Sequence, residues 1–525
     1  MASLLPDNSV SYSKDFSNGA KFPILSVALP KQYILDNIKY KYNESNEIID
    51  IENKETLFKL NLDCKIIPIA NPKLFNNILK KFSNTGDILK LPGAASIYHN
   101  KDTNEKSIIL APWNKTFDDL STEFKEFLQK EQVIENTVNT NLRDHKLTFA
   151  YDYWSCNDIM DILLPQLTKI FNIKNNEETI NTPVSFTTSG DIAHMNIKSY
   201  FDPIRFLIGQ LILDKNPQLN KVVNKLKTIN SKFRTFNMEV LASNIVPYPK
   251  TSSKEDMDSN PNFQDFFKCE HKESNCNFLL DFAQVYWNSR LHTEHERLVS
   301  LFQPYDLVVD VMAGVGPFSC PSGKKGVFVI SNDLNPHSFK YMKENVERNG
   351  VSKYVQCTNE DGMEMISNIL SYVKKFRERD CFNNKGELTL KTYVKSEKKG
   401  KRIMQEKVIN VPKLPSHFVM NLPDSAIEFL HNFNGIYNNL DKEEIEKLPW
   451  VHVHCFEKYG QDEEVTEKDI QYRVYQRIMK QFQLPDDNKV MPFSHFKFHE
   501  VRRVAPCKPM FCVSFELPKN IVKNN

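Results

Sequence analysis

The segment from Asp306 to Pro336 constrains this chain more than any other. Asp306-Leu307-Val308-Val309-Asp310 is an apolar run that ends in an acid. It passes into a glycine turn, Val311-Met312-Ala313-Gly314-Val315-Gly316-Pro317-Phe318. A second apolar run, Val327-Phe328-Val329-Ile330-Ser331-Asn332, ends at Asp333, 23 residues after Asp310. This is the layout of a parallel β-α-β unit that holds an adenosine cofactor. The glycines let the backbone approach the ligand, and the acid after the second strand reaches the ribose hydroxyls. The turn lacks the third glycine of G-x-G-x-x-G, which would set a helix N-terminus under a pyrophosphate. Pro317 instead stiffens the start of the helix. A ligand without phosphates fits this pattern, and S-adenosylmethionine is the natural candidate. Gly314, Gly316 and Asp333 are therefore candidate cofactor-binding residues. A lone Gly-x-Gly is also an ordinary tight turn; the paired acids at the two strand ends favour the ligand.

The rest of such a site follows in chain order. Val355-Gln356-Cys357-Thr358-Asn359-Glu360-Asp361-Gly362 is a short strand ending in acids and a glycine. An acid there can accept a hydrogen bond from an adenine amino group. Alone, Asp361-Gly362 is a turn dipeptide; its place one β-α step after Asp333 gives it the functional reading. Phe418-Val419-Met420-Asn421-Leu422-Pro423-Asp424 is a further strand running into a polar residue and a proline. In an open sheet the C-terminal strand ends line the ligand crevice. Asn421 is thus expected beside the transferred group. Leu422 and Asp424 depart from the Asp/Asn-Pro-Pro-Tyr motif of enzymes that methylate exocyclic amines, which points to a different kind of substrate nitrogen.

Composition bounds the alternatives. At 525 residues the chain has room for two or three domains. A formal charge of +2 requires any nucleic-acid surface to be a local patch. No run approaches a membrane span. The ten cysteines include no Cys-x-x-Cys pair, and His452 and His454 lie on an alternating apolar segment. No metal site is expected, and the cysteines read as reduced, mostly buried thiols of an intracellular protein. Residues 1–20 look disordered, 21–180 form an N-terminal domain of short strands and helices (74–82, 120–131, 157–171), and 183–290 form a mixed α/β middle domain. The stretch 250–266 is polar and expected to be a flexible loop. A β-α-β domain runs over 291–518, interrupted at 377–412 by a solvated insertion bearing Lys395, Lys398, Lys399, Lys401 and Arg402.

One more cluster bears chemistry: Tyr286-Trp287-Asn288-Ser289-Arg290-Leu291-His292-Thr293-Glu294-His295-Glu296-Arg297. Thr293 with Glu296 is a capping-box pattern opening a helix. That places Arg290 just outside the helix and Glu294 in its first turn. The plain reading is a cap with surface charges; the sharper one makes Glu294 a general base beside the cofactor. A helix N-terminus and two arginines would lower its pKa, while desolvation would raise it.

Together, Tyr286 to Arg297, Asp310 to Phe318, Asn332-Asp333-Leu334-Asn335-Pro336 and Asn421-Leu422-Pro423 resemble the archaeal and eukaryotic tRNA (guanine-37 N1)-methyltransferases, fungal members included. Upstream, Phe186 to Asn196, Leu213 to Asn216, Val222 to Lys225 and Phe233 to Ala242 resemble that family's middle domain. The resemblance covers roughly residues 183–518, with Leu241-Ala242-Ser243 where the family has Leu-Ala-Gly.

The resemblance implies a class I, Rossmann-like, S-adenosylmethionine-dependent methyltransferase domain with mixed α/β N-terminal and middle domains. Its reaction would move a methyl group to N1 of the guanine 3′ of the anticodon. It implies that Glu294 is the base, that Arg290 positions it and that Arg234 holds O6 of the guanine. It further implies that His295, Asp333, Leu334, Asp361, Gly362 and Asn421 contact the cofactor. A base in a tRNA loop must be splayed out to react; Tyr286 and Pro423 are stacking candidates. Lys39, Lys41, Lys80, Lys81 and Lys90 are candidates to grip the tRNA. The expected partner is tRNA with guanine 37, not DNA and not a membrane, and the expected state is a monomer. The family works in cytosol, nucleus and mitochondrial matrix; this N-terminus is only weakly presequence-like. Two alternatives stand beside this reading: aminocarboxypropyl transfer to a modified guanine 37, and an inactive tRNA-binding protein of the same fold.

Overall fold

A computed structural model of the chain describes residues 9–15, 24–133, 142–173, 183–226, 233, 235, 237–395, 402–445, 447–484 and 489–523. The chain divides into two compact units: 1–187 with 194–224 and 240–247, and 188–193 with 225–239 and 248–525.

In the first unit, Leu60–Pro68 is the long central strand of a four-stranded sheet. It lies between Lys106–Ile109 and Arg143–Phe149, with Ile97–His99 at the edge. Helices Leu74–Phe82 and Thr122–Lys130 cover it because each presents one apolar stripe. Phe75, Ile78, Phe82, Phe124 and Leu128 pack on Ile67 and Ile108 from the strands. Helix Cys156–Ile170 opens on a capping box in which Ser155 and Asp158 satisfy each other's backbone N–H groups. Residues Ser11–Asp15, expected to be disordered, instead pair antiparallel with Ile24–Ala28. The alternating Ser11-Tyr12-Ser13-Lys14 pattern gives a polar strand that an apolar partner strand can still hold.

The second unit is built on one seven-stranded sheet. Its strands are β1 (Leu307–Asp310), β2 (Phe328–Asn332), β3 (Val355–Thr358), β4 (His417–Met420), β5 (Trp450–Phe456), β6 (Lys497–Ala505) and β7 (Lys508–Glu516). The spatial order is 3-2-1-4-5-7-6. β1 to β5 run parallel, and β6 and β7 are antiparallel additions. Every residue of β1 and β2 is buried, as expected for strands covered on both faces. Chain order reverses between β1 and β4, and at such a switch point the strand ends diverge and leave a crevice. The helices relevant to the site are α1 (His292–Leu301), α2 (Ser319–Lys324), α3 (Pro336–Arg348) and α4 (Gly362–Ser367).

Three local expectations are corrected. The 250–266 stretch is not a structureless loop: Ser253 caps a short helix, Lys254–Asp258, and Asp256 accepts hydrogen bonds from Thr251 and Ser253. The 377–412 insertion contains an antiparallel hairpin of Glu387–Lys395 with Arg402–Asn410, whose base sends Leu388 and Ile409 into the core. The side chains of its basic cluster lie outside the described residues. The capping box at Thr293 and Glu296 does not form. The helix begins one turn earlier through a 3₁₀ turn at Ser289–Leu291, whose N–H groups are capped by Asn288. Among the described residues no helix is long and apolar enough to cross a membrane.

Candidate active site

The crevice at the β1/β4 switch is an open cleft of about 810 Å³, including solvent at its mouth. Its wall includes Gly314, Asp333, Leu334, Asp361, Gly362 and Asn421, all named from the sequence, together with Tyr286 and Pro423. Asp333 stands at its centre. Its Oδ2 accepts the Gly314 N–H at 2.8 Å and its Oδ1 accepts the Asn335 N–H at 2.9 Å. The Ser338 hydroxyl also bonds the carboxylate, which leaves one of its about four lone-pair positions for a ligand hydroxyl. Burial raises the pKa of Asp333 against these hydrogen bonds. Gly314 has φ +56°, and a Cβ there would meet nothing within 4 Å. The glycine is needed for its backbone conformation, and the space over it is open.

The other wall residues have distinct jobs. Asp361 caps α4 by accepting the Met363 N–H at 2.8 Å while its carboxylate stays exposed. Gly362 is required for packing, since a Cβ would lie 2.9 Å from Val311 and 3.2 Å from Phe429. Asn421 follows β4, and its Oδ1 is buried without a hydrogen-bond partner. A buried amide oxygen left unpaired costs about 1–3 kcal/mol, which makes this atom a candidate ligand contact. The cleft also contains residues the sequence reading did not single out: Phe233, Phe429, Met312 and Asn332. Asn332 clamps the strand ends, donating to Val311 O and Glu360 O and accepting from the Glu360 N–H. Its place before Asp333 was a usable signal. Phe429 lies in a 3₁₀ stretch, Ala426–Phe433, that helical periodicity does not pick out.

Other candidates lie elsewhere. Gly316 (φ +94°) is not on the cleft wall; a Cβ there would sit 3.2 Å from Cys320 Sγ. Its glycine serves the turn into α2. Asp310, the first acid of the pair, turns inward. It is fully buried, accepts the Ser319 hydroxyl at 2.7 Å and anchors α2. Burial pushes its carboxyl up to about 7. His295 is likewise off the cleft wall. Its Nδ1 meets Glu273 Oε1 at 2.5 Å, and its ring packs on Phe318. Burial opposes the ionised form of Glu273, but His271 and His295 hold its carboxyl down at about 2. Arg234 lies outside the described residues.

Glu294 is tightly held. Its side chain is 1 % exposed. Arg297 grips it with two hydrogen bonds, Nε to Oε2 at 2.6 Å and a terminal nitrogen to Oε1 at 2.8 Å. His454 Nε2 lies 2.8 Å from Oε1 and His499 Nε2 lies 3.5 Å from Oε2. Burial alone would raise the carboxyl; Arg297 and His454 overrule it and hold it well below the usual range. This resolves the two opposed effects in favour of the ionised form. The bidentate partner of Glu294 is Arg297, and Arg290 stands near Lys225, whose ammonium burial and Arg290 disfavour. Glu294 is close to the sheet face beside the cleft but not on the cleft wall.

Comparison with known proteins agrees with this architecture. Residues 269–373 match the TRM5/TYW2 methyltransferase domain, and residues 167–244 match the TYW2 N-terminal domain. The chain is 41% identical over 387 residues to a tRNA (guanine(37)-N(1))-methyltransferase of Saccharomyces cerevisiae, covering 72% of this chain and 71% of the relative. It is 38% identical to the enzyme of that name from Candida albicans (86% and 92% covered) and 37% identical to that from Schizosaccharomyces pombe (89% and 94%). Among solved structures, the complex of aTrm5 and tRNALeu superposes with TM-score 0.50 at 19% identity, covering 86% of this chain and 99% of that one.

Proposed function

The chain belongs to the family of tRNA (guanine(37)-N(1))-methyltransferases, and from that premise we propose how its own residues carry the reaction. The protein transfers a methyl group from S-adenosylmethionine to N1 of guanosine 37. The observation that carries the assignment of the site is the unpaired, buried Oδ1 of Asn421 at a cleft that Gly314 and Asp333 also line. Open space over Gly314 admits the ligand, and the remaining acceptor position of Asp333 suits a ribose hydroxyl. When bound, S-adenosylmethionine supplies a methyl group on a sulfonium, ready for attack by a nitrogen.

The chain's residues supply the rest. N1 of guanine carries a proton and is a poor nucleophile until that proton leaves. Glu294, ionised throughout the neutral range, takes the proton. As a base it is weak, so charge developing at O6 needs a cation, and by family resemblance Arg234 provides it. Base removal and charge stabilisation are each worth about 10²–10³-fold in rate. Tyr286, half exposed on the cleft wall, is a stacking partner for a flipped guanine, as is Pro423 on the same cleft. Asn421 orients the reacting groups, a positioning task. We assign tRNA binding to residues 21–180, where Lys39, Lys41, Lys80, Lys81 and Lys90 are all exposed. We further propose that the protein works as a monomer in cytoplasm, nucleus and mitochondrial matrix, which cell fractionation and light scattering would test.

The decisive experiment is single-turnover reaction of an unmodified tRNA transcript bearing guanine 37, with methyl-labelled S-adenosylmethionine and nucleoside analysis. Label in 1-methylguanosine is expected. Absence of methyl label with the aminocarboxypropyl group on the nucleoside instead would overturn the reading.

A further inference from the structure

Glu294 stands under a row of side chains contributed by three strands. His454 on β5 and Cys512 on β7 are register partners, and Cys512 is in turn the partner of His499 on β6. Directly paired residues of neighbouring strands point to the same face. Val451, Val453 and Cys455 alternate with the histidines of β5 and belong to the core on the other face. The row His454, Cys512, His499 therefore faces α1, which lays Glu294 and Arg297 across it. One donor atom each from Glu294, His454 and Cys512 lies within 4.8 Å of the others.

An ionised carboxylate has about four lone-pair positions. Oε1 of Glu294 uses two, for Arg297 and His454; Oε2 uses one, for the Arg297 Nε. The remaining position is on Oε2, on the side of His499, whose side chain is 46 % exposed. Arg297 rides on the same helix as Glu294, so its grip on the carboxylate does not tie that group to the sheet, although its guanidinium also reaches Cys512 on β7. Among the described contacts of the carboxylate, the hydrogen bond from His454 makes that tie. We propose that His454 is the positioning residue for Glu294, tying its Oε1 to β5 so that Oε2 alone is presented to the guanine N1 proton. The inference rests on the reading of Glu294 as the base. In the step, the N1–H bond breaks, its electron pair stays on N1, and an O–H bond forms at Oε2; the imidazole protons stay where they are.

The charges facing His454 come from every neighbour: Glu294 and Arg297 on α1, Cys512 on β7, His499 on β6, Asp310 on β1 and His452 on its own strand. Burial pushes the imidazole toward the neutral form, and Cys512 and the Glu294 carboxylate reverse that, holding it protonated above the usual histidine range. Removing the imidazolium thus removes a charge that keeps Glu294 ionised.

The test uses the full chain with tRNA and measures single-turnover rate against pH for the native protein, His454→Gln and Glu294→Gln. His454→Gln is expected to lose about 10²-fold in rate. Its acid limb should move up by about one pH unit or more, while tRNA and S-adenosylmethionine affinities stay native. A native rate and pH profile in His454→Gln, with Glu294→Gln slow, overturns the proposal and keeps the base. A native rate in Glu294→Gln removes the base and the proposal together. If His454→Gln does not fold, ¹⁵N-histidine NMR of the native protein decides. A ring at position 454 protonated on both nitrogens at pH 8, and no longer so in Glu294→Gln, is expected. A singly protonated ring in both overturns the proposal.

Discussion

The cleft wall and the Glu294 pocket lie in the same unit and spend their polar atoms in opposite ways. On the wall, Asn421 Oδ1 is unpaired and the space above Gly314 is empty. Around Glu294, three of about four acceptor positions are filled by partners on two elements. A surface that must bind leaves hydrogen-bonding capacity unspent, at a cost in stability. A group that must take a proton at one atom is instead held at all the others. The proposed cofactor-binding wall and the proposed base thus differ in their satisfied and unsatisfied atoms.

The sharpest way to break this contrast is to substitute each side in turn. Glu294→Gln should slow single-turnover methylation by about 10²–10⁴-fold with S-adenosylmethionine affinity unchanged; a large loss of cofactor affinity, seen by calorimetry, would merge the two regions. Asp333→Ala should do the reverse, weakening cofactor binding by about 10–100-fold, because it removes the ribose acceptor and the Gly314 partner. Next comes stability. Glu273 is held at about 2 by His271 and His295. Its folded pKa is depressed, so its contribution is fully present above about 4.3 and is lost as pH falls toward 2. Glu273→Gln should remove that acid dependence, worth about 3 kcal/mol at neutral pH. Urea melts from pH 6 to pH 2 would check it; an unchanged pH slope would contradict the assignment. The smallest effect is expected at Asn421. Asn421→Ala removes a buried unpaired atom and should leave the melting temperature unchanged or slightly higher, while methylation slows. A drop of several degrees would mean that the side chain is structural.

Much of the second unit is legible in the chain because its strands are short, continuous apolar runs ending in polar residues. β1, β2, β3 and β4 are each followed within a few residues by a group the cofactor chemistry needs, so Asp333, Asp361 and Asn421 are readable one at a time. The helices of the first unit are legible for the same reason, through their apolar stripes. Asp310 shows where such reading fails. It has the same local pattern as Asp333, yet it points into the interior to hold Ser319. Strand-end position alone does not say to which side an acid turns. The capping box at Thr293 failed because Asn288, five residues earlier, offered a cap to a 3₁₀ turn that starts the helix sooner.

The β-α-β order, the glycine turn and the polar residues at the strand ends can be read from the chain alone, because each depends on neighbours a few residues apart. The surroundings of Glu294 arise only once the sheet is assembled. His454 and Cys512 are far from it in the chain, and they reach it because strands β5, β7 and β6 place them in one row beneath α1. Strand order and register are set by the packing of the whole sheet, and no local pattern encodes them.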